Sequence, residues 1–102
     1  MIDINGLSES DIIRIIGLRL REYRLNARFT QKELAARAGV SHITVSQLES
    51  GKCRNINMAN FLALLRALEL LSNIDDLVPE LPESPYAKVD KRVNGRVKRG
   101  KI

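Results

Sequence analysis

Residues 36–49, ARAGVSHITVSQLE, carry a helical apolar pattern as far as Ala38, break it at Gly39-Val40-Ser41 and restart it at once. Val45 and Leu48 fall three apart on the inner side of the restarted helix, which Ser41 caps and Gly51 closes. His42, Ile43, Ser46 and Gln47 are left off that stripe. A second short helix whose free face mixes an isoleucine with small polar groups needs a reason to exist. The surrounding sequence narrows the choice.

Upstream, Thr30 is a good N-cap with Glu33 three residues on, a capping box. Leu34, Ala35 and Ala38 then give a two-turn helix its buried side, and Gly39 ends it. Before that, Ser8 or Ser10 caps a first helix running to about Asn26, with Ile13, Ile16, Leu20 and Tyr23 spaced along one core face. Downstream, Asn57 caps a fourth helix through about Leu71, with Met58, Phe61, Leu62, Leu65 and Leu68 inward and Leu64, Ala67 and Leu71 on another face. Ser72 caps a last turn, NIDDLV, whose Asp75 and Asp76 sit near its positive end. PELPESP, residues 79–85, then holds three prolines in seven residues and reads as an extended linker. Two short helices joined by a tight glycine turn form a helix-turn-helix: Gly39 allows a left-handed backbone, Val40 plugs the angle and small Ala35 permits close approach.

With 102 residues the chain can bury one small core. It is 44% hydrophobic but 4% aromatic, which suits Leu, Ile, Val and Ala on helices better than a β-sandwich. The expected class is therefore all-α, with residues 1–78 as the domain, 79–86 as the linker and 87–102 as a flexible basic tail. No apolar run is long enough to span a bilayer, and the N-terminus lacks the basic and apolar regions of a signal peptide, so a cytoplasmic location is expected. Cys53 is the only cysteine and His42 the only histidine, which argues against a disulfide, a zinc site or any metal cofactor. Paired carboxylates, an activated nucleophile and a phosphate-cradling glycine loop are likewise missing, so no enzyme is expected. RNA recognition would want aromatic platforms.

The formal charge of +5 is unevenly placed. Residues 87–102 hold seven Lys and Arg against Asp90, and residues 19–54 hold eight against Glu22, Glu33 and Glu49, while residues 66–86 are acidic. Two basic zones flanking an acidic one point to a polyanion met by particular surfaces.

LRLREYRLNARFTQKELAARAGVSHITVSQLESGK, residues 18–52, resembles the Cro/cI phage-repressor type of helix-turn-helix, the xenobiotic-response-element regulator family. The shared features are an Arg in the first helix, Thr-Gln opening the second, Glu-Leu-Ala within it, Gly-Val-Ser at the turn and Leu-Glu-x-Gly closing the third. The resemblance covers about residues 17–78. It implies a compact five-helix, phage-repressor-like DNA-binding domain that lays its third helix in the major groove, as a homodimer on a palindromic double-stranded operator. It places Ser41, His42, Ile43, Thr44, Ser46 and Gln47 where base edges or nearby phosphates are met, and Gln31, Lys32, Lys52 and Arg54 along the phosphates. Arg24 and Glu49 match a buried ion pair between the first and third helices.

Each assignment has a plainer competitor. Gln47 can bond adenine N6 and N7 or stay solvated; His42 can meet a base or phosphate or simply shield the helix end; Ile43 can meet a thymine methyl or be a tolerated surface residue. Ser41 reads first as an N-cap. Cys53, between Lys52 and Arg54, is either an oxidant sensor or an incidental loop thiol. Leu64, Ala67, Leu70, Leu71, Ile74 and Leu77 offer a dimer interface, or complete the core. In the tail, Asn94-Gly95 signals a hairpin while Val89, Val93 and Val97 align at helical spacing; neither form is stable alone, so disorder is expected. The favoured function is a sequence-specific transcriptional regulator, a repressor by preference. The alternative is an antitoxin that neutralises a toxin protein and autoregulates its operon.

Overall fold

The computed structural model describes residues 3–82, so the tail and the second half of the linker lie outside it. Among the described residues the fold is all-helical: five α-helices, two short 3₁₀ turns and no strand. No helix there is long and apolar enough to cross a membrane.

Each of the first four α-helices starts at a side chain able to take up an orphan amide. The Ser8 hydroxyl accepts from the Asp11 amide and opens α1 (Glu9–Asn26). Thr30 and Glu33 cap one another's backbone at the start of α2 (Gln31–Ala38). Ser41 accepts from the Thr44 amide to open α3 (His42–Ser50), and Asn57 does the same for Asn60 at α4 (Met58–Ala67). A 3₁₀ turn, Leu71–Asn73, leads into α5 (Ile74–Leu77). Here Asn73, not Ser72, is the N-cap residue, and its side chain makes no capping bond.

Gly39 and Gly51 end α2 and α3 in the left-handed region, with φ of +72° and +82°. The ends of α1 and α4 use the same backbone geometry without glycine: Arg28 and Glu69 adopt φ of +64° and +61°. At Glu69 the turn is closed by the Leu70 amide donating to the Leu65 carbonyl at 2.7 Å. This stops α4 at Ala67, four residues before the stop expected at Leu71.

The contacts divide the chain into 1–71 and 72–102. In the first unit α3 packs on α1 and on α2, and α2 also packs on α4. Leu20, Leu34, Ala35, Val45, Leu48, Leu64, Leu65 and Leu68 form the core. Of the other expected core residues Ile13, Ile16, Ala38, Phe61 and Leu62 are half-buried at its edge, and two are exposed: Tyr23 by 48% and Met58 by 71%. On α1 the buried stripe runs through Gly17, Leu20 and Arg24, which turns Tyr23 outward. On α4 almost every position is apolar, so two stripes compete; Leu64 and Leu65 go inward while Met58 stays at the exposed first turn. Leu64, expected on a dimer-facing side, is instead among the most deeply buried side chains, with Leu34 and Val45.

Gly17 sets how closely α1 approaches α3. A Cβ there would run into the backbone carbonyl of Leu48. Alanine at this helical site would gain about 1 kcal/mol of propensity, but the clash is with backbone and cannot be relieved by a rotamer change. Gly17→Ala is expected to destabilise the domain by about 2 kcal/mol net, read from urea unfolding; a stabilised variant would show that α3 moves away freely.

The capping box gives α2 a pH-dependent start. The Thr30 amide, with a smaller contribution from its hydroxyl, holds the Glu33 carboxyl below its ordinary value of 4.5. A carboxyl depressed on folding stabilises the native state above its unfolded value, and that stabilisation is lost as pH falls through the lower folded one. Glu33→Gln, which keeps the hydrogen bond but cannot titrate, should flatten the acid limb of stability below about pH 4.5 in thermal unfolding across pH.

Candidate nucleic-acid interface

The orientation of α3 follows from its buried residues. Val45, Leu48 and Glu49 point inward, while His42, Ile43 and Gln47 are exposed and Thr44 and Ser46 half-buried. Ile43 is 66% exposed. An isoleucine so open beside polar neighbours belongs to a surface, not to the core.

Glu49 is buried because it has partners. Arg24 Nε donates to Oε2 at 2.7 Å and Arg24 Nη2 to Oε1 at 2.9 Å, a two-pronged pair between α1 and α3. The remaining guanidinium nitrogen, Nη1, donates to the Phe29 carbonyl at 2.7 Å in the loop before α2. Gln31, the first residue of α2, donates its Nε2 to Glu49 Oε1 at 2.9 Å. Its Oε1 lies 3.2 Å from Nε2 of His42, the first residue of α3. No buried side-chain polar atom among the described residues is left without a partner. A chain of polar contacts thus runs from the buried Arg24 to the exposed start of α3. The Phe29 ring lies under the Arg37 guanidinium, 4.3 Å from its centroid, which ties α2 to the same loop.

The other expected contact residues fall on either side of α3. The Ser41 hydroxyl is engaged as the cap and lies 2.8 Å from the Thr44 hydroxyl. Lys32 is exposed in the first turn of α2. Beyond α3 the amides of Lys52 and Cys53 both donate to the Gln47 carbonyl at 3.1 Å, which turns the loop sharply and leaves the Lys52 and Arg54 side chains exposed. Cys53 is half-buried, and its thiol donates to the Asn55 carbonyl at 2.9 Å.

Sequence reasoning missed one neighbour of these residues, Arg14, and one connection, that of Gln31 to Glu49 and His42. Arg14 joins Lys52 and Arg54 around a shallow cleft of about 350 Å³ between the start of α1 and the loop after α3. It also pairs with Asp11 at 2.8 Å. Its distance in sequence hid it: nothing local says that the first turns of α1 come back to the loop. Gln31 as a bridge was equally hidden, since a surface glutamine and a buried glutamate 18 residues apart carry no shared pattern.

Residues 15–81, more than half of the chain, match a family described as a helix-turn-helix domain. No curated protein matches the chain.

The ion pair makes a sharp energetic prediction. Glu49→Leu leaves the Arg24 guanidinium buried without its carboxylate and should cost about 3–5 kcal/mol in urea unfolding. Adding Arg24→Met removes the stranded charge, and the double variant should recover most of the loss. Additive losses would mean that the pair is not coupled.

Proposed function

The chain belongs to the helix-turn-helix domain family, and we propose that it is a sequence-specific DNA-binding transcriptional regulator, a repressor of the Cro/cI, xenobiotic-response-element type, that inserts α3 in the major groove. The observation that carries this reading is the division of α3 into a buried face and an open one. His42, Ile43 and Gln47 are exposed, and no described residue partners the side-chain amide of Gln47. Unspent amide groups and an exposed apolar surface are what adenine edges and thymine methyls require. Ser41, Thr44 and Ser46 complete the base-proximal set.

Gln31, Lys32, Lys52 and Arg54 serve the phosphates. Among the described residues neither lysine nor Arg54 has a carboxylate partner, so their charge remains available to DNA. The seven cations of residues 87–102 would add a sequence-independent arm along the backbone. A homodimer on a palindromic operator, with half-sites about 34 Å apart, is the proposed assembly. Ala67, Leu70 and Leu71 of the first unit are half-buried, and in the second unit Ile74 is half-buried and Leu77 66% exposed; Leu64 is excluded by its burial.

A second reading, an antitoxin that also holds a toxin protein, draws support from Leu77, Val78 and Leu81, which are 66%, 72% and 65% exposed. Apolar surface of that kind suits a protein partner.

Selection of bound duplexes from a random pool tests the first reading. The full chain should enrich a palindromic motif, and Gln47→Ala should weaken binding by roughly 1–3 kcal/mol and relax one base pair per half-site. A selected motif unchanged by Gln47→Ala would remove that residue from the readout, and no enrichment at all would defeat the DNA-binding reading.

A further inference from the structure

The hydrogen-bond chain through Gln31 carries information about His42 that helix position alone does not. A carboxylate held by two guanidinium nitrogens accepts hydrogen bonds and has none to give. Gln31 therefore has to turn its NH₂ group to Glu49 Oε1, where Nε2 stands at 2.9 Å. That leaves the amide carbonyl, which only accepts, facing His42 Nε2 at 3.2 Å. The contact is a hydrogen bond only if His42 Nε2 carries the proton. In a neutral imidazole the second nitrogen, Nδ1, is then a lone-pair acceptor. It belongs to an exposed side chain at the first position of α3 and has no partner among the described residues.

We propose that Gln31 holds His42 as the Nε2–H tautomer, so that Nδ1 acts as an acceptor and selects a base bearing an exocyclic amino group, cytosine N4 or adenine N6. Guanine N7 and O6, and phosphate oxygens, are acceptors themselves and cannot satisfy it. His42 is thus a specificity-determining residue whose polarity is set by the buried Arg24–Glu49 pair two hydrogen bonds away. The same ring without Gln31 would be free to take either tautomer and to offer a donor or an acceptor. The inference rests on the proposed docking of α3 on DNA for its base contact, but the tautomer itself is a property of the free protein.

Two measurements separate these parts. Long-range ¹H–¹⁵N correlation spectra of the full chain at about pH 8, where an imidazole is ordinarily neutral, report which ring nitrogen bears hydrogen. The expected pattern is hydrogen on Nε2 and a lone pair on Nδ1, and Gln31→Ala should replace it by a mixture. A mixture or the opposite tautomer in the unaltered chain would overturn the proposal. On the duplex enriched from the random pool, each adenine is then replaced by unsubstituted purine, each cytosine by its analogue lacking the amino group, and each guanine by the deaza analogue lacking N7. Loss of one amino group per half-site should weaken binding by the unaltered chain about tenfold and leave His42→Ala indifferent. If the His42-dependent loss maps to a guanine N7 instead, the ring is donating and the proposal is wrong. Failure to enrich any duplex would overturn the docking of α3 and the base contact with it, while the spectra of the free protein would still decide the tautomer.

Discussion

The arrangement of the first unit depends on one buried ion pair. Arg24 reaches out of α1 to Glu49 on α3 with two nitrogens and to the Phe29 carbonyl with the third, so a single guanidinium ties α1 both to α3, 25 residues on, and to the loop before α2. Apolar side chains of similar volume could stabilise the same space as well or better. What leucine or methionine cannot supply is direction. A fork of donors meeting a planar carboxylate specifies how α3 is rotated about its own axis, because Glu49 has to face Arg24. Once that rotation is set, Val45 and Leu48 fall into the core, and His42, Ile43 and Gln47 are left outside.

Close packing strengthens the same constraint. Gly17 lets the backbone of α1 come up to the Leu48 carbonyl, one residue before Glu49, so the ion pair and the helix contact act at the same place. Gln31 then extends the polar chain from the interior to the first residue of α3. A change in the buried pair should therefore reach the open face through hydrogen bonds as well as through packing. Charge is separated from this face in a useful way: α3 itself carries only the buried Glu49 as a formal charge at neutral His42, while Lys32 stands before it and Lys52 and Arg54 beyond it. On the proposed docking of α3, such a layout puts cations at the flanks toward phosphates and neutral groups in the middle toward bases.

Much of this order is legible in the sequence because its signals are local. The Thr30-to-Glu33 capping box, the Ser8, Ser41 and Asn57 caps and the glycine stops each lie within a turn of the boundary they set, and those boundaries appear where the signals stand, whereas Ser72 does not cap α5, whose N-cap residue is Asn73. The end of α4 was misplaced because Glu69, with a side chain that ordinarily disfavours positive φ, does there what glycine does at Gly39. The face of α4 was ambiguous for another reason: Met58, Phe61, Leu64 and Leu65 offer more apolar positions than one core can take, and periodicity does not choose among them. The inward stripe of α1 was misjudged at Tyr23 because its neighbour Arg24 takes the interior position, and a buried arginine makes sense only after Glu49 is known to face it. The relation of Gln31 to His42 and Glu49 is of the same kind, being a product of tertiary placement with no local trace.

The residues expected near bases are not equivalent once their hydrogen bonds are counted. The Ser41 hydroxyl is used by the Thr44 amide and hydroxyl, and Gln31 spends both ends of its amide inside the protein. These groups hold the start of α3 in shape, and each has only part of its bonding capacity left over: the second N–H and second lone pair of the Gln31 amide, and one further bond at the Ser41 hydroxyl. Gln47 and Ile43 have no such obligations among the described residues, and His42 has met only one of its two. Discrimination between base pairs draws on polar atoms with capacity left over and on apolar atoms still in water, since only these gain by meeting the right edge. On the proposed docking of α3, sequence preference therefore concentrates in His42, Ile43 and Gln47, with Ser41, Thr44 and Gln31 fixing the frame from which those three reach out.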